Sequence, residues 1–157
     1  MLTIESRVEV AGLRGREVTD FLLDPTDAGY RAWWPGVHHQ FHRVAPGGVG
    51  HVGDRVLMDE LVGLRRVRMS GVVEVAEPGR RIVWRLSKGV RLPVRLTLAL
   101  DDSADGVSVR HTITAGWPGP MRLLDPLLRL YLSPRFAAAM DSHVRGEFPR
   151  LRDHLAG

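Results

Sequence analysis

Apolar and polar positions alternate through the middle of this chain and fall at helical spacing towards both ends. From Thr3 to Val10, Ile4, Val8 and Val10 share one side, with Thr3, Glu5, Arg7 and Glu9 on the other, the pattern of a half-buried strand. Val18, Phe21 and Leu22 then stand at i, i+3 and i+4, one face of a helix. Asp24-Pro25 ends that helix, because the residue before proline is pushed out of helical geometry. Tyr30, Trp33 and Trp34 repeat the spacing and predict a second short helix, closed by Pro35-Gly36.

Between His38 and Ala115 the period becomes two, with glycine and proline at hairpin intervals. Val67, Met69, Gly71, Val73 and Val75 form one side of a predicted strand, opposed by Arg66, Arg68, Ser70 and Glu74. Ile82, Trp84 and Leu86 oppose Arg81, Arg85 and Ser87, and the even-numbered residues from Val90 to Leu100 oppose Arg91, Pro93, Arg95, Thr97 and Asp101. After the turn at Asp101–Gly106, Val107, Val109, His111 and Ile113 oppose Ser108, Arg110, Thr112 and Thr114. One face is apolar and the other rich in arginine, as in an antiparallel sheet covered on one side. The cover comes from the tail. Met121 to Leu132 is an amphipathic stretch interrupted by Pro126, and Ser133-Pro134 restarts a helix as N-cap and first-turn proline. Phe136, Met140, Val144, Phe148, Leu151 and Leu155 then make a long apolar stripe, in which Gly146 and Pro149 predict a bend.

The fold class is therefore α+β: a curved antiparallel sheet wrapped around a long C-terminal helix, with two short helices after the first strand. At 157 residues the chain fits one domain over 1–157, long enough for a core without metals or disulfides. It contains no cysteine, which excludes thiolate zinc sites and cysteine nucleophiles. The start Met1-Leu2-Thr3-Ile4-Glu5 lacks the basic and apolar segments of a signal peptide, and no apolar run is long enough for a membrane span, so a cytoplasmic location is expected.

The order strand, two helices, hairpins, long helix resembles the START-like superfamily and, within it, the polyketide cyclase/dehydrase and lipid-transport group. The local marks are Asp24-Pro25 to Trp33-Trp34-Pro35-Gly36, the hairpin Glu77-Pro78-Gly79-Arg80-Arg81-Ile82-Val83-Trp84, and Gly106 to His111. The resemblance implies a helix-grip fold with a ligand cavity between sheet and helix. It carries no shared catalytic motif. Leu13-Arg14-Gly15-Arg16 is an unusually basic approach to the first helix, and Pro149 is unusual in the last.

On such a scaffold the informative residues are polar ones on the apolar face. His111 points inward by alternation and is a candidate ligand contact or general base. Glu60 alternates with Val56, Met58 and Val62, but Leu57 and Leu61 occupy the opposite side, so its facing stays open. Buried, it would be an acid/base partner for His111 in a cyclase, dehydratase or aromatase; exposed, a solvated carboxylate. The predicted ligand-binding set is Met58, Glu60, Met69, Trp84, Leu96, Leu98, His111, Phe136, Met140 and His143. His143 and Glu147, one helical turn apart, pair on the surface or crown the cavity mouth.

No metal or other cofactor is expected. The run His38-His39-Gln40-Phe41-His42 suggests zinc, yet in a strand His38 and His42 stand about 13 Å apart and His39 points the other way. The formal charge of +4 comes from dispersed basic residues, all but Lys88 arginine. With no nucleic-acid-binding motif beside them, the outward Arg66, Arg68, Arg81, Arg85, Arg91, Arg95 and Arg110 read as a solvated face, with a homodimer contact, an acidic partner or anionic lipid as the alternatives. Gly47-Gly48-Val49-Gly50 lacks the Lys-Ser/Thr of a phosphate loop. The leading expectation is a noncatalytic binder of a small hydrophobic molecule such as a lipid, quinone or polyketide-like compound. The rivals are a cyclase-type enzyme and an interaction module with no functional pocket.

Overall fold

Alternation becomes seven strands in the computed structural model, which describes residues 1–157. β1 (Leu2–Ala11) leads into α1 (Gly15–Leu23) and α2 (Asp27–Trp33). Then come β2 (His38–Ala45), β3 (Arg55–Val62), β4 (Arg65–Glu77), β5 (Arg81–Lys88), β6 (Val90–Asp102) and β7 (Gly106–Ala115). A 3-10 turn at Gly119–Leu124, α3 (Asp125–Tyr131) and α4 (Pro134–Ala156) complete the chain. All strand neighbours are antiparallel, in the order β1-β7-β6-β5-β4-β3-β2. Each strand from β2 to β7 therefore pairs with the next, and α1 and α2 carry the chain from one sheet edge to the other.

Irregular register bends the sheet. Pairing shifts between His38 and Gln40, between Val73 and Val75, and between Arg85 and Ser87. An extra residue in one strand kinks it and strengthens the local twist. The shift in β4 also corrects the predicted strand faces: past Glu74, Val75 pairs with Val83 away from the main core, and Ala76 packs against the core instead. Strict alternation had put Val75 inside.

α4 packs against β1 and β3. Ser133 caps it, accepting from the Phe136 amide at 3.2 Å. Phe136, Met140, Val144, Phe148 and Leu151 are buried as the stripe predicts, but Leu155 is exposed. The helix runs undivided through Gly146 and Pro149, because buried Val144, Phe148 and Leu151 hold both sides of the predicted bend. Pro126 does not interrupt a helix either; it lies in the first turn of α3, where its missing N–H is not needed.

The basic approach to α1 has a structural use. The Arg14 guanidinium donates to the carbonyls of Ser103 and Ala104, and the Gly15 amide donates to Asp102 at 2.8 Å, fastening α1 to the β6–β7 turn. Thr19 accepts from the Gly79 amide at 2.8 Å in the β4–β5 turn. Gly15 has no room for a side chain: a Cβ there would lie 2.4 Å from the Gly79 carbonyl oxygen.

Much of the outward arginine is paired. Glu74 bridges Arg85 at 2.8 Å and Arg95 at 2.7 Å, Glu77 meets Arg81 at 3.0 Å, and Asp59 accepts two bonds from Arg66. The hydrogen bond from Arg95 holds the Glu74 carboxyl below its ordinary value, partial burial opposing it. Its ionised form is thus favoured by folding, and this contribution is present above the ordinary carboxyl range and lost as pH falls through the depressed value. Glu74→Gln is expected to cost no more than about 1 kcal/mol at neutral pH, since the group is partly solvated, and nothing in strong acid; urea unfolding at both pH values measures the difference.

Candidate functional site

A concave sheet and a single crossing helix leave space that side chains do not fill. Between the inner sheet face, α3 and α4 lies a cavity of about 350 Å³, at the small end of ligand-pocket sizes. Thirteen of its sixteen lining residues are apolar, and the exceptions are Glu60, Lys88 and His111, so a guest would meet few polar groups. Lys88 is exposed, whereas His111 is buried. An adjoining void of about 60 Å³ shares Met58, Glu60, Leu96 and His111 with the main cavity and reaches Tyr30, Trp84, Leu98 and Glu147. The polar groups therefore gather where the two spaces meet.

His111 sits in β7 opposite Leu98 and Ser6. Burial pushes its proton affinity below that of an ordinary imidazole, against the opposing pull of Glu147 and Glu60, and Nδ1 has no hydrogen-bond partner. A neutral imidazole with a free nitrogen can accept or donate one hydrogen bond to a guest.

At Glu60 four ionisable side chains converge: Glu60 itself, His38, His143 and Glu147. Glu60 and His38 are cross-strand partners in β3 and β2. His143 and Glu147 lie one turn apart on the buried side of α4. His38 Nε2 is 3.5 Å from Glu60 and 3.4 Å from Glu147, and His143 Nε2 is 3.3 Å from Glu60 and 3.6 Å from Glu147. Aromatic residues of the α2 segment build the walls. Tyr30 stacks on His38 at 3.9 Å between centroids and donates its hydroxyl to Glu60 at 2.6 Å. The Trp33 indole donates to the Glu147 carbonyl at 2.7 Å, and Trp34 stacks on His143 at 4.9 Å. Gly146 makes room for that ring, since a Cβ there would come within 3.3 Å of Trp34. A glycine that weakens the helix thus lets an aromatic lid close over the cluster.

The electrostatics follow from burial and mutual attraction. Burial opposes charge on Glu60, but His143, His38 and the Tyr30 hydroxyl overcome it and hold the carboxyl down to about 2. Burial likewise opposes charge on His143, but Glu147 and Glu60 push it up to about 9. Desolvation and the Glu60 carboxylate raise Tyr30 well above an ordinary phenol, keeping it a proton donor.

These positions settle several sequence readings. Glu60, whose facing was open, points inward; Asp59 takes the other face under Arg66. Met58, Met69, Leu96, His111, Phe136 and Met140 line the cavity, while Trp84 and Leu98 line only the small void. His143 lies outside both spaces, and neither His143 nor Glu147 is on the surface as their pairing suggested: they are 5% and 7% exposed. The histidine run does separate as strand geometry requires, His42 bonding Asp27 at 2.8 Å, yet His38 finds its neighbours in β3 and α4. Two residues of this cluster, His38 and Glu147, were not in the predicted set. Glu147 carried a readable signal, lying within the apolar stripe three residues after Val144 and four before Leu151.

No family model matches the chain, and no curated relative does. Solved structures match over nearly its full length. A protein of Thermus thermophilus is 16% identical with a TM-score of 0.63, covering 99% of this chain and 97% of its own. A polyketide-cyclase-like protein of Corynebacterium glutamicum is 16% identical with a TM-score of 0.55, covering 98% and 91%. The Aha1 dimer of Colwellia psychrerythraea is 16% identical with a TM-score of 0.51, covering 95% and 98%. With one antiparallel sheet gripping α4 and this likeness in hand, the chain has a helix-grip fold, shared with a polyketide-cyclase-like protein of known structure.

Proposed function

We propose that this chain binds a small, mainly hydrophobic molecule in the cavity between the sheet, α3 and α4, without transforming it. The observation that carries this reading is an apolar space whose few polar lining groups include Glu60 and His111 together at one end. Each 100 Å² of apolar guest surface removed from water contributes about 2.5 kcal/mol before the cost of association. Glu60 and His111 then orient the polar end of the guest. Met58, Met69 and Met140 adapt the wall to its shape.

One wall of the container is α3: Leu128 and Tyr131 face the cavity, while Leu127 and Leu130 are 57% and 76% exposed. Apolar residues on both sides of a short helix suit a wall over which an apolar guest passes. The fold likeness to a polyketide-cyclase-like protein is in keeping with a polyketide-like guest, and a lipid or quinone would suit the same apolar walls. No helix of the structure is long and apolar enough to cross a membrane.

Mass spectrometry of the natively purified protein and of its organic extract is expected to find one copurified apolar molecule per chain. Leu96→Trp, which puts bulk into the cavity, is expected to weaken binding of that molecule, or of an apolar fluorescent probe, at least about tenfold while circular dichroism stays unchanged. Equal affinity in the variant would refute this location.

One observation favours a second reading, proton transfer to or from the guest: the unpartnered Nδ1 of a neutral His111 beside Glu60. Under simple binding, His111→Ala weakens a guest with a polar end by about 1–3 kcal/mol and leaves a purely apolar probe unaffected in titration calorimetry. Under catalysis it also abolishes conversion of the copurified compound, followed by mass.

A further inference from the structure

We propose that His38, Glu60, His143 and Glu147 form a site for one divalent transition metal ion, with zinc the best match. The site shares Glu60 with the apolar cavity, but the proposal does not rest on what that cavity holds. Each residue offers one ligating atom, and these atoms all lie within 4.8 Å of one another. A tetrahedral ion with bonds of about 2.0–2.1 Å requires its ligands about 3.3–3.4 Å apart. Glu60 Oε2 lies 3.3 and 3.5 Å from the two imidazole nitrogens, and Glu147 approaches them at 3.4 Å through Oε1 and 3.6 Å through Oε2, so a small inward movement of the side chains would bring one oxygen or nitrogen of each onto a common ion.

The second line of support is unmet bonding. His38 and His143 are 1% and 5% exposed, yet the Nε2 of each, aimed at the two carboxylates, lacks a hydrogen-bond partner. Buried polar atoms are seldom left so, and a bound ion would occupy both Nε2 positions, displacing the proton that the neighbouring carboxylates favour on His143. The charges also balance: two carboxylates and two neutral imidazoles neutralise a dication. Two nitrogen and two oxygen donors favour zinc over magnesium or calcium, which prefer more oxygen ligands. Tyr30 on Glu60 and Trp33 on the Glu147 backbone provide the outer contacts that orient ligands. Four protein ligands fill the shell, as in structural zinc sites, so the ion would clamp β2, β3 and α4 together.

The test uses the full chain, stripped with chelator and titrated with zinc or with cobalt(II). We expect one ion per chain, a raised thermal midpoint, and the intense visible bands of tetrahedral cobalt, displaced by zinc. His38→Gln and Glu147→Gln should each weaken zinc binding at least about 100-fold, Tyr30→Phe about 10–100-fold, and His42→Ala not at all. Absence of saturable uptake by the folded wild type would overturn the proposal, as would the weak spectrum of octahedral cobalt or unchanged affinity in the folded His38 and Glu147 variants. Should those two variants fail to fold, the wild-type cobalt spectrum and stoichiometry decide alone.

Discussion

The contact of α4 with the concave side of the sheet sets both the position of the cavity and the depth of the polar cluster. Along one face the helix presents Phe136 and Met140, then His143 and Val144, then Glu147, Phe148 and Leu151, all buried. At its N-terminal end the side chains stop short of the strands, and a cavity of about 350 Å³ remains. Further along, the α2 aromatics close the gap and press two imidazoles against two carboxylates. Apolar burial holds the helix on the sheet, and that placement takes the charged groups out of water.

Burial of this kind is costly unless the charges compensate one another. Glu60 shows how closely matched the opposing effects are: desolvation favours its neutral form, yet two imidazoles and a phenol hold it ionised. Its position also links the two parts of the interior, because the carboxyl lines the cavity while touching the cluster. A polar guest end and the His/Glu group would therefore compete for or share one carboxylate. The aromatic enclosure buries this junction, and Trp33 ties the backbone of α4 to α2 at Glu147.

The outer face follows different physics. Cross-strand pairs such as Arg85–Glu74–Arg95 are partly solvated, so their ionic attraction is screened and worth little. They turn an arginine-rich surface into a mixed one without governing the fold. That contrast explains why net charge said little about function here, whereas four buried ionisable groups say much.

Strand alternation, the Asp24-Pro25 break, the Ser133 cap and the apolar stripe after it were all legible in the sequence, because each depends on neighbours within a few residues. Inward-facing His111 was legible for the same reason. The β4 irregularity that turned Val75 outward was not, since one extra residue in a strand leaves no mark on composition. Nor was the cluster: His38, Glu60 and the His143–Glu147 pair lie far apart in the chain, and local spacing in the histidine run argued against any common centre. The sequence determined which faces are apolar and hence the architecture. Only the packing of α4 across the sheet decided which polar residues meet, because long-range register and helix position arise from the whole core and not from any one segment.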